Sequence, residues 1–96
     1  MGIKNLEKCF NEASINGSKY IGVKIRKEVF PTAEIVIDKK ENFWKKLEYY
    51  KNAYDEDLSL KANSGIRIVG FTYGNSFKDI EEDLMWGDIN ENYSCS

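Results

Sequence analysis

The residue types that carry most enzyme chemistry are scarce in this chain. It contains no histidine, which excludes a histidine general base, a serine–histidine nucleophile pair and a histidine-containing metal site. Its two cysteines, Cys9 and Cys95, are separated by most of the chain and have no Cys-x-x-Cys spacing. The sequence therefore predicts a protein that is not an enzyme and that holds no cofactor and no metal.

Carboxylates are the remaining candidates for acid–base or cation chemistry, and they include two consecutive trios. Neighbouring residues of a helix point in different directions, so each trio spreads around its element instead of converging on one point. Neither trio has the alternating spacing of a calcium-binding loop. A carboxylate-dependent enzyme and a divalent cation site stay as alternatives. The trios are Asp55, Glu56 and Asp57, and Glu81, Glu82 and Asp83.

Charge is distributed unevenly along the chain. Residues 19–51 contain nine Lys or Arg against five acids, whereas residues 52–96 contain three against nine. Clustered charge of one sign accelerates association with a surface of the opposite sign. We therefore predict that the two acidic trios contact a partner protein, the alternative being that they are solvated helix faces.

Arg26 and Arg67 are the only arginines, and both lie in segments that alternate like strands. A strand can hold the planar guanidinium group rigidly toward a phosphate or a carboxylate. Tyr20 and Trp44 could stack on a base beside them. These four residues predict an alternative site for a small nucleotide. The basic segment could also suit single-stranded nucleic acid, but the aromatic residues recur at core spacing, which favours a core role.

A glycine turn precedes the last acidic helix, an arrangement that many phosphate sites use. The turn Gly74-Asn75-Ser76 has one glycine, where a phosphate cradle usually has two or three. The acids that follow Lys78 would repel a polyanion. We therefore predict that Ser76 caps the helix, with Asp79 completing a variant of the capping box.

Hydrophobic periodicity predicts the elements that position these residues. Apolar spacings of three and four predict helices over 3–15 and 40–58 and a third from Ser76, while alternation predicts strands over 19–30, 34–38 and 66–73. Pro31 between the first two strands indicates a hairpin. The order α-β-β-α-β-α predicts a small single α+β domain over 1–87, with a three-stranded, mostly antiparallel sheet and packed helices, and a flexible C-terminal tail over 88–96.

The third predicted strand is apolar on both faces. Strict alternation places Ile66, Ile68, Gly70 and Thr72 on one face and Arg67, Val69, Phe71 and Tyr73 on the other. Such a strand is expected at the centre of a sheet. Because 96 residues with thirteen aromatics can hardly bury every apolar face in one subunit, we also predict a homo-oligomer.

The expected cellular compartment depends on two kinds of sequence signal, membrane spans and secretory signals. No apolar run approaches the length of about 20 residues that crosses a bilayer, so no membrane association is expected. No secretory signal or disulfide framework is evident. The expected location is the cytoplasm, with free thiols.

Two segments resemble a known group of proteins. EIVIDKKENFWKKLEYYKNAYDEDLSLKA and GIRIVGFTYGNSFKDIEEDL are similar to small, mostly uncharacterised proteins of phages and prophages of Gram-positive bacteria. In that group an ENF…KLEYYK…YDEDL helix precedes a GI.I.GF strand and an F.DIE.DL helix. The similarity covers about residues 18–84 and brings no catalytic residues with it.

The resemblance implies a context for function. Small accessory proteins of phages often inhibit host enzymes or defence systems. We therefore expect a non-enzymatic, phage-derived inhibitor or modulator of a host protein, acting in the host cytoplasm in counter-defence, as anti-CRISPR proteins do. The alternative is a sponge that sequesters a nucleotide signal.

Overall fold

The computed structural model describes residues 2–30 and 32–85, which form helices and one sheet. The elements are α1 (Ile3–Ile15), β1 (Tyr20–Lys27), β2 (Glu34–Lys39), a turn of 3-10 helix (Lys40–Asn42), α2 (Phe43–Ala53), β3 (Ser59–Leu60), β4 (Asn63–Gly74) and a final helix, α3, over 77–85. The predicted tail over 88–96, and the predicted end of the domain at residue 87, lie outside the described residues.

The sheet has four antiparallel strands in the order β2-β1-β4-β3. The predicted α+β class and the β1–β2 hairpin are confirmed, but the prediction of three strands is wrong. The predicted helix over 40–58 continues only to Ala53, and the chain then turns into β3. Leu58 has a φ of 67°, a left-handed conformation that no helix interior contains.

The main core lies between one face of the sheet and the helices α1 and α2. Phe10 of α1 contacts the rings of Phe43 and Tyr50 of α2 at centroid distances of 6.0 and 6.2 Å. Ile21 and Val23 of β1 are fully buried beneath them. The apolar stripes predicted for both helices therefore form the core, and α1 ends as predicted at Asn16-Gly17, where Gly17 has a φ of 68°.

A bulge in β4 changes the predicted faces of that strand. The register with β1 shifts between Lys24 and Ile25, which pair with Gly70 and Ile68, so Val69 is the extra residue. Ile68 lies in the main core, and Phe71 and Tyr73 pack against the same core. The predicted strict alternation is therefore wrong beyond Ile68.

Helix α3 packs on the second face of the sheet, over three glycines. Leu84 lies beside Gly22 and Gly70, and Ile80 lies beside Gly22 and Gly74. Ile80 is fully buried. Because glycine has no side chain, the helix can approach the sheet backbone closely.

Polar contacts fix both ends of α3. The Oγ of Ser76 accepts a hydrogen bond from the backbone N–H of Asp79 at 3.2 Å, which confirms the predicted cap. At the other end, the Nζ of the buried Lys24 donates a hydrogen bond to the carbonyl oxygen of Leu84 at 3.1 Å. The glycine turn thus starts a packed helix, as the capping interpretation predicts.

None of the helices in residues 2–30 and 32–85 combines the length and the apolar composition that a membrane span requires.

Candidate functional site

The two predicted acidic trios lie on separate elements. Residues 55–57 form the turn between α2 and β3, whereas residues 81–83 belong to α3 on the other face of the sheet. All six side chains are exposed. The structure therefore does not gather them into one acidic patch, although each trio stays accessible to a partner.

Members of both trios also make contacts within the chain. Asp57 accepts a hydrogen bond from the backbone N–H of Ser59 through its Oδ1 at 3.1 Å. This bond, and more weakly the charge of Arg67, holds the pKa of Asp57 below its usual value. The backbone oxygen of Glu56 accepts from the N–H of Ile3 at 2.9 Å, and Asp83 accepts from the hydroxyl of Thr72 at 3.4 Å. These contacts stabilise turns and helix packing.

Of the four residues predicted for a nucleotide, the structure brings only the two arginines together. Arg26 of β1 and Arg67 of β4 are directly opposite in the antiparallel register. Tyr20 pairs with Gly74 at the far end of β4, roughly 20 Å from Arg67 at about 3.4 Å per residue. Its ring packs on Phe77 at 4.8 Å.

Trp44 is separated from the arginines by the sheet. It lies on α2, which packs on the core face, and its side chain is 60% exposed. Arg26 lies on the opposite face, because its position in β1 alternates with the core residues Ile21 and Val23. The rings predicted to stack on a base are therefore not beside the guanidinium groups.

The arginines belong instead to a surface at the hairpin end of the sheet. Both arginines line a depression of about 500 Å³, and a second depression of about 300 Å³ lies beside the β1–β2 turn. The depressions share Glu28 and Gly65. We name this region the hairpin-end surface and define it by Arg26, Val29, Phe30, Arg67 and Val69.

Local hydrogen bonds hold the hairpin-end surface in place. The N–H of Glu28 donates to the oxygen of Gly65 at 2.8 Å, and the N–H of Phe30 donates to the oxygen of Lys27 at 3.0 Å. Lys27 Nζ lies 5.6 Å from the centre of the Phe30 ring, within range of a cation–π contact. These contacts link the tip residues Glu28 and Phe30 to β4 and β1.

The tip of the β1–β2 turn, residues Val29 and Phe30, exposes more apolar surface than turns usually do. The side chain of Val29 is 84% exposed and that of Phe30 is 56% exposed. Turns are normally built from glycine, proline and small polar residues. The sequence contains this signal as Val29-Phe30 directly before Pro31 and Thr32, but hydrophobic periodicity predicts that these residues end a strand.

The electrostatics of the hairpin-end surface combine two cations with nearby acids. Like charges directly opposite on neighbouring strands repel one another. Glu28 lines the same depression as the two arginines, and the charge of Arg67 reaches Asp57. Guanidinium groups in this arrangement can donate bidentate hydrogen bonds to carboxylates or phosphates.

A further groove lies between α1 and β4 and contains Cys9. Its volume is about 430 Å³. Burial, with a contribution from Glu12, raises the pKa of the Cys9 thiol to about 12, so the thiol stays protonated near neutral pH and is a poor nucleophile. Among residues 2–30 and 32–85, no group of three or more Cys, Asp or Glu side chains comes close enough to hold a metal ion.

Comparison with protein-family models, with curated proteins and with solved structures finds no match to this chain. The resemblance to phage and prophage proteins therefore stays a prediction.

Proposed function

We infer that this chain is a non-enzymatic binding protein that modulates another protein by covering part of its surface. The observation that carries the proposal is the hairpin-end surface, where two exposed apolar residues and two arginines line adjoining depressions. Aromatic residues and arginine dominate the energetics of protein interfaces, because they bury large areas and donate several hydrogen bonds.

The hairpin-end surface also indicates the chemistry of its target. Val29 and Phe30 project from a turn, so they fit a shallow apolar pocket better than a flat surface. Arg26 and Arg67 favour carboxylates at the rim of that pocket. An apolar pocket with an acidic rim is therefore the expected binding site on the partner.

The resemblance to phage and prophage proteins supplies the biological part of the proposal. On that basis the target is a host protein, and the role is inhibition or modulation in counter-defence. The two acidic trios are a second proposed contact, directed at a basic part of the same target.

The test is capture of a partner from host lysate by matched variants. A variant with Val29→Ser and Phe30→Ser removes the apolar tip, and a control with Ile15→Ser and Trp44→Ser removes side chains of similar exposure elsewhere, 83% and 60%. We expect the control and the unmodified protein to capture the same protein. With that protein purified, the tip variant should bind at least about tenfold more weakly, because anchor residues typically contribute more than about 1.4 kcal/mol each.

Two outcomes would contradict the proposed interface. Equal capture by the tip variant and the control would exclude the hairpin-end surface. Loss of the partner only after Glu81→Lys and Glu82→Lys, with steep weakening as salt rises, would place the interface on α3 instead.

The juxtaposed arginines favour one second candidate, a sponge for a small nucleotide. The depression of about 500 Å³ around Arg26 and Arg67 is within the size range of small-ligand pockets. Phosphate oxygens could bridge the two guanidinium groups. Phe30 lines the adjoining depression, and its ring takes the stacking role predicted for Tyr20 and Trp44.

Calorimetry against mono-, di- and cyclic nucleotides tests this candidate. Arg26→Lys and Arg67→Lys keep the charge but remove the bidentate geometry. Affinity should fall in both variants while the thermal midpoint barely changes. Absence of any binding by the unmodified protein would eliminate the sponge and leave the protein-binding role.

A further inference from the structure

Strand β2 forms one edge of the sheet, and half of its backbone groups point outward. The N–H of Lys40 donates to the oxygen of Lys19 at 2.9 Å, which continues the register in which Tyr20 pairs with Lys39. Hydrogen-bonded pairs alternate along an antiparallel ladder. Val36 and Asp38 therefore bond to β1, while the N–H and C=O groups of Ile35 and Ile37 face the open edge.

No strand in the described part of the chain pairs with this outer side. An exposed edge of this kind is a template for pairing with another chain. Ile35, Val36 and Ile37 are β-branched and only half-buried, so an added strand would bury apolar surface on both faces as well as form backbone hydrogen bonds.

Two acids bracket the apolar centre of β2 on the face that carries α2. Glu34 pairs with Ile25 and Asp38 with Ile21, so both alternate onto the core face with Val36 between them. Lys27 Nζ lies 3.9 Å from Glu34 Oε2, and Lys46 Nζ lies 3.9 Å from Asp38 Oδ2. Both separations exceed hydrogen-bond length. The Glu34 side chain is 62% exposed and is open to a further cation, whereas the Asp38 side chain is 16% exposed with its Oδ2 buried, so a cation reaches Asp38 only at its exposed margin.

This charge pattern argues against a second copy of the chain as the occupant. Antiparallel self-pairing that keeps the three apolar residues together centres on Val36. Each Glu34 would then lie opposite the Asp38 of the other copy, at both ends of the pairing. Like charges directly opposite are destabilising.

We propose that β2 binds an extended segment of a partner protein by antiparallel strand addition, and that the segment carries three apolar residues between two lysines or arginines. The cations lie opposite Glu34 and Asp38, and the first and third apolar residues exchange backbone hydrogen bonds with Ile35 and Ile37. Backbone pairing provides affinity and the flanking charges provide specificity. The inference rests on the proposed function, since it names the partner segment that a protein-binding chain would recognise.

The probe is a capped peptide with the sequence Ser-Lys-Val-Ile-Val-Lys-Ser, titrated into the ¹⁵N-labelled full chain. We expect the amide signals of Ile35 and Ile37 to shift and their hydrogen exchange to slow, while those of Val36 and Asp38, already bonded to β1, change less. A control peptide with Glu in place of both Lys should bind roughly tenfold more weakly, because two attractive cross-strand pairs become repulsive.

Changes to the backbone separate strand addition from simple charge attraction. N-methylation of the two peptide valines removes the N–H groups that would pair with Ile35 and Ile37, and binding should be lost although every charge is kept. In the protein, Ile37→Pro removes one outward N–H without removing a bond to β1, a position that edge strands tolerate. If that variant fails to fold, the N-methylated peptide still decides the question.

Four results would overturn the proposal. Two are equal binding of the lysine and glutamate peptides and full binding of the N-methylated peptide. The third is light scattering that shows a dimer which Ile37→Pro converts to a monomer, and it would identify a second copy as the occupant. The fourth is absence of any peptide binding; with loss of partner capture in the Val29 and Phe30 variant, it would refute strand addition and leave the proposed function intact.

Discussion

Replacing Tyr50 by alanine is expected to lower the free energy of unfolding by about 3–5 kcal/mol, the range for deleting a large buried ring. Tyr50 is 1% exposed. Its ring contacts Phe10, Tyr49 and Tyr54 at centroid distances of 6.2, 5.5 and 5.7 Å. A domain of this size has about 5–15 kcal/mol in total, so the variant should unfold at a much lower urea concentration or fail to fold.

The phenylalanine variant at the same position separates the ring from its hydroxyl group. The hydroxyl of Tyr50 is buried and has no hydrogen-bond partner in the part of the chain that the structure describes. Leaving a buried polar group unsatisfied costs about 1–3 kcal/mol. Tyr50→Phe should therefore match or exceed the stability of the unmodified protein in urea titrations. A loss comparable to that of Tyr50→Ala would mean that the hydroxyl group has an essential partner.

The stability of the protein at alkaline pH provides a second measurement of the role of the Tyr50 hydroxyl group. Burial first, and then the charge of Asp38, raises the pKa of Tyr50 above its ordinary value of 10.0. The folded state therefore holds this proton more tightly than the unfolded chain does. The resulting stability is complete below about pH 10 and is lost as the pH rises further. Tyr50→Phe should lose less stability there, with a remainder from Tyr54 and Cys9, whose pKa values are also raised.

Long periodic segments of the sequence were sufficient to predict most of the elements. The stripe of Leu6, Phe10 and Ala13 predicts α1, and the alternation of Ile21 with Val23 predicts β1 and its buried face. Both predictions are confirmed because one face of each element is apolar over several turns or pleats. Helix α3 is confirmed from its capping residue Ser76.

The features that the sequence does not predict depend on how single residues pack and pair in the folded chain. Tyr54 and Leu58 continue the helical spacing of α2, but Tyr54 bridges to Leu60 and Leu58 has a positive φ. Both residues therefore lie in the turn before β3 rather than in a helix, although their side chains enter the same core as those of α1 and α2. The bulge at Val69 likewise has no local signal, since it appears only in the pairing of β1 with β4.

The candidate site was predicted in part. The sequence predicts that the two arginines act together, and the structure places them opposite one another. Residue type alone groups Tyr20 and Trp44 with them, and residue type does not show which face of the sheet each element covers. The exposed tip is recognisable in the sequence as two apolar residues, Val29 and Phe30, in a turn. Hydrophobic periodicity does not detect this pattern.

Substitution of Gly22 by alanine is expected to dislodge α3 and to cost about 1–3 kcal/mol, the usual range for overpacking. An added Cβ would overlap Ile80 Cγ2 and would lie 3.3 Å from Leu84 Cδ1. Both side chains belong to α3, so the helix must move away from the sheet. Faster hydrogen exchange across residues 77–85, with little change in α1, would show that the effect is local.

Two further variants determine whether contact with Ile80 is the cause. Gly70→Ala is the matched control, because its Cβ would meet Leu84 Cδ2 at 3.4 Å, an ordinary contact distance, and α3 should stay in place. Ile80→Ala alone creates a cavity, but in combination with Gly22→Ala it removes the overlap. The double variant should therefore lose less stability than the sum of the single losses, by about 0.5–3 kcal/mol. Strict additivity, or equal losses for Gly22→Ala and Gly70→Ala, would show that α3 does not depend on the close approach at Gly22.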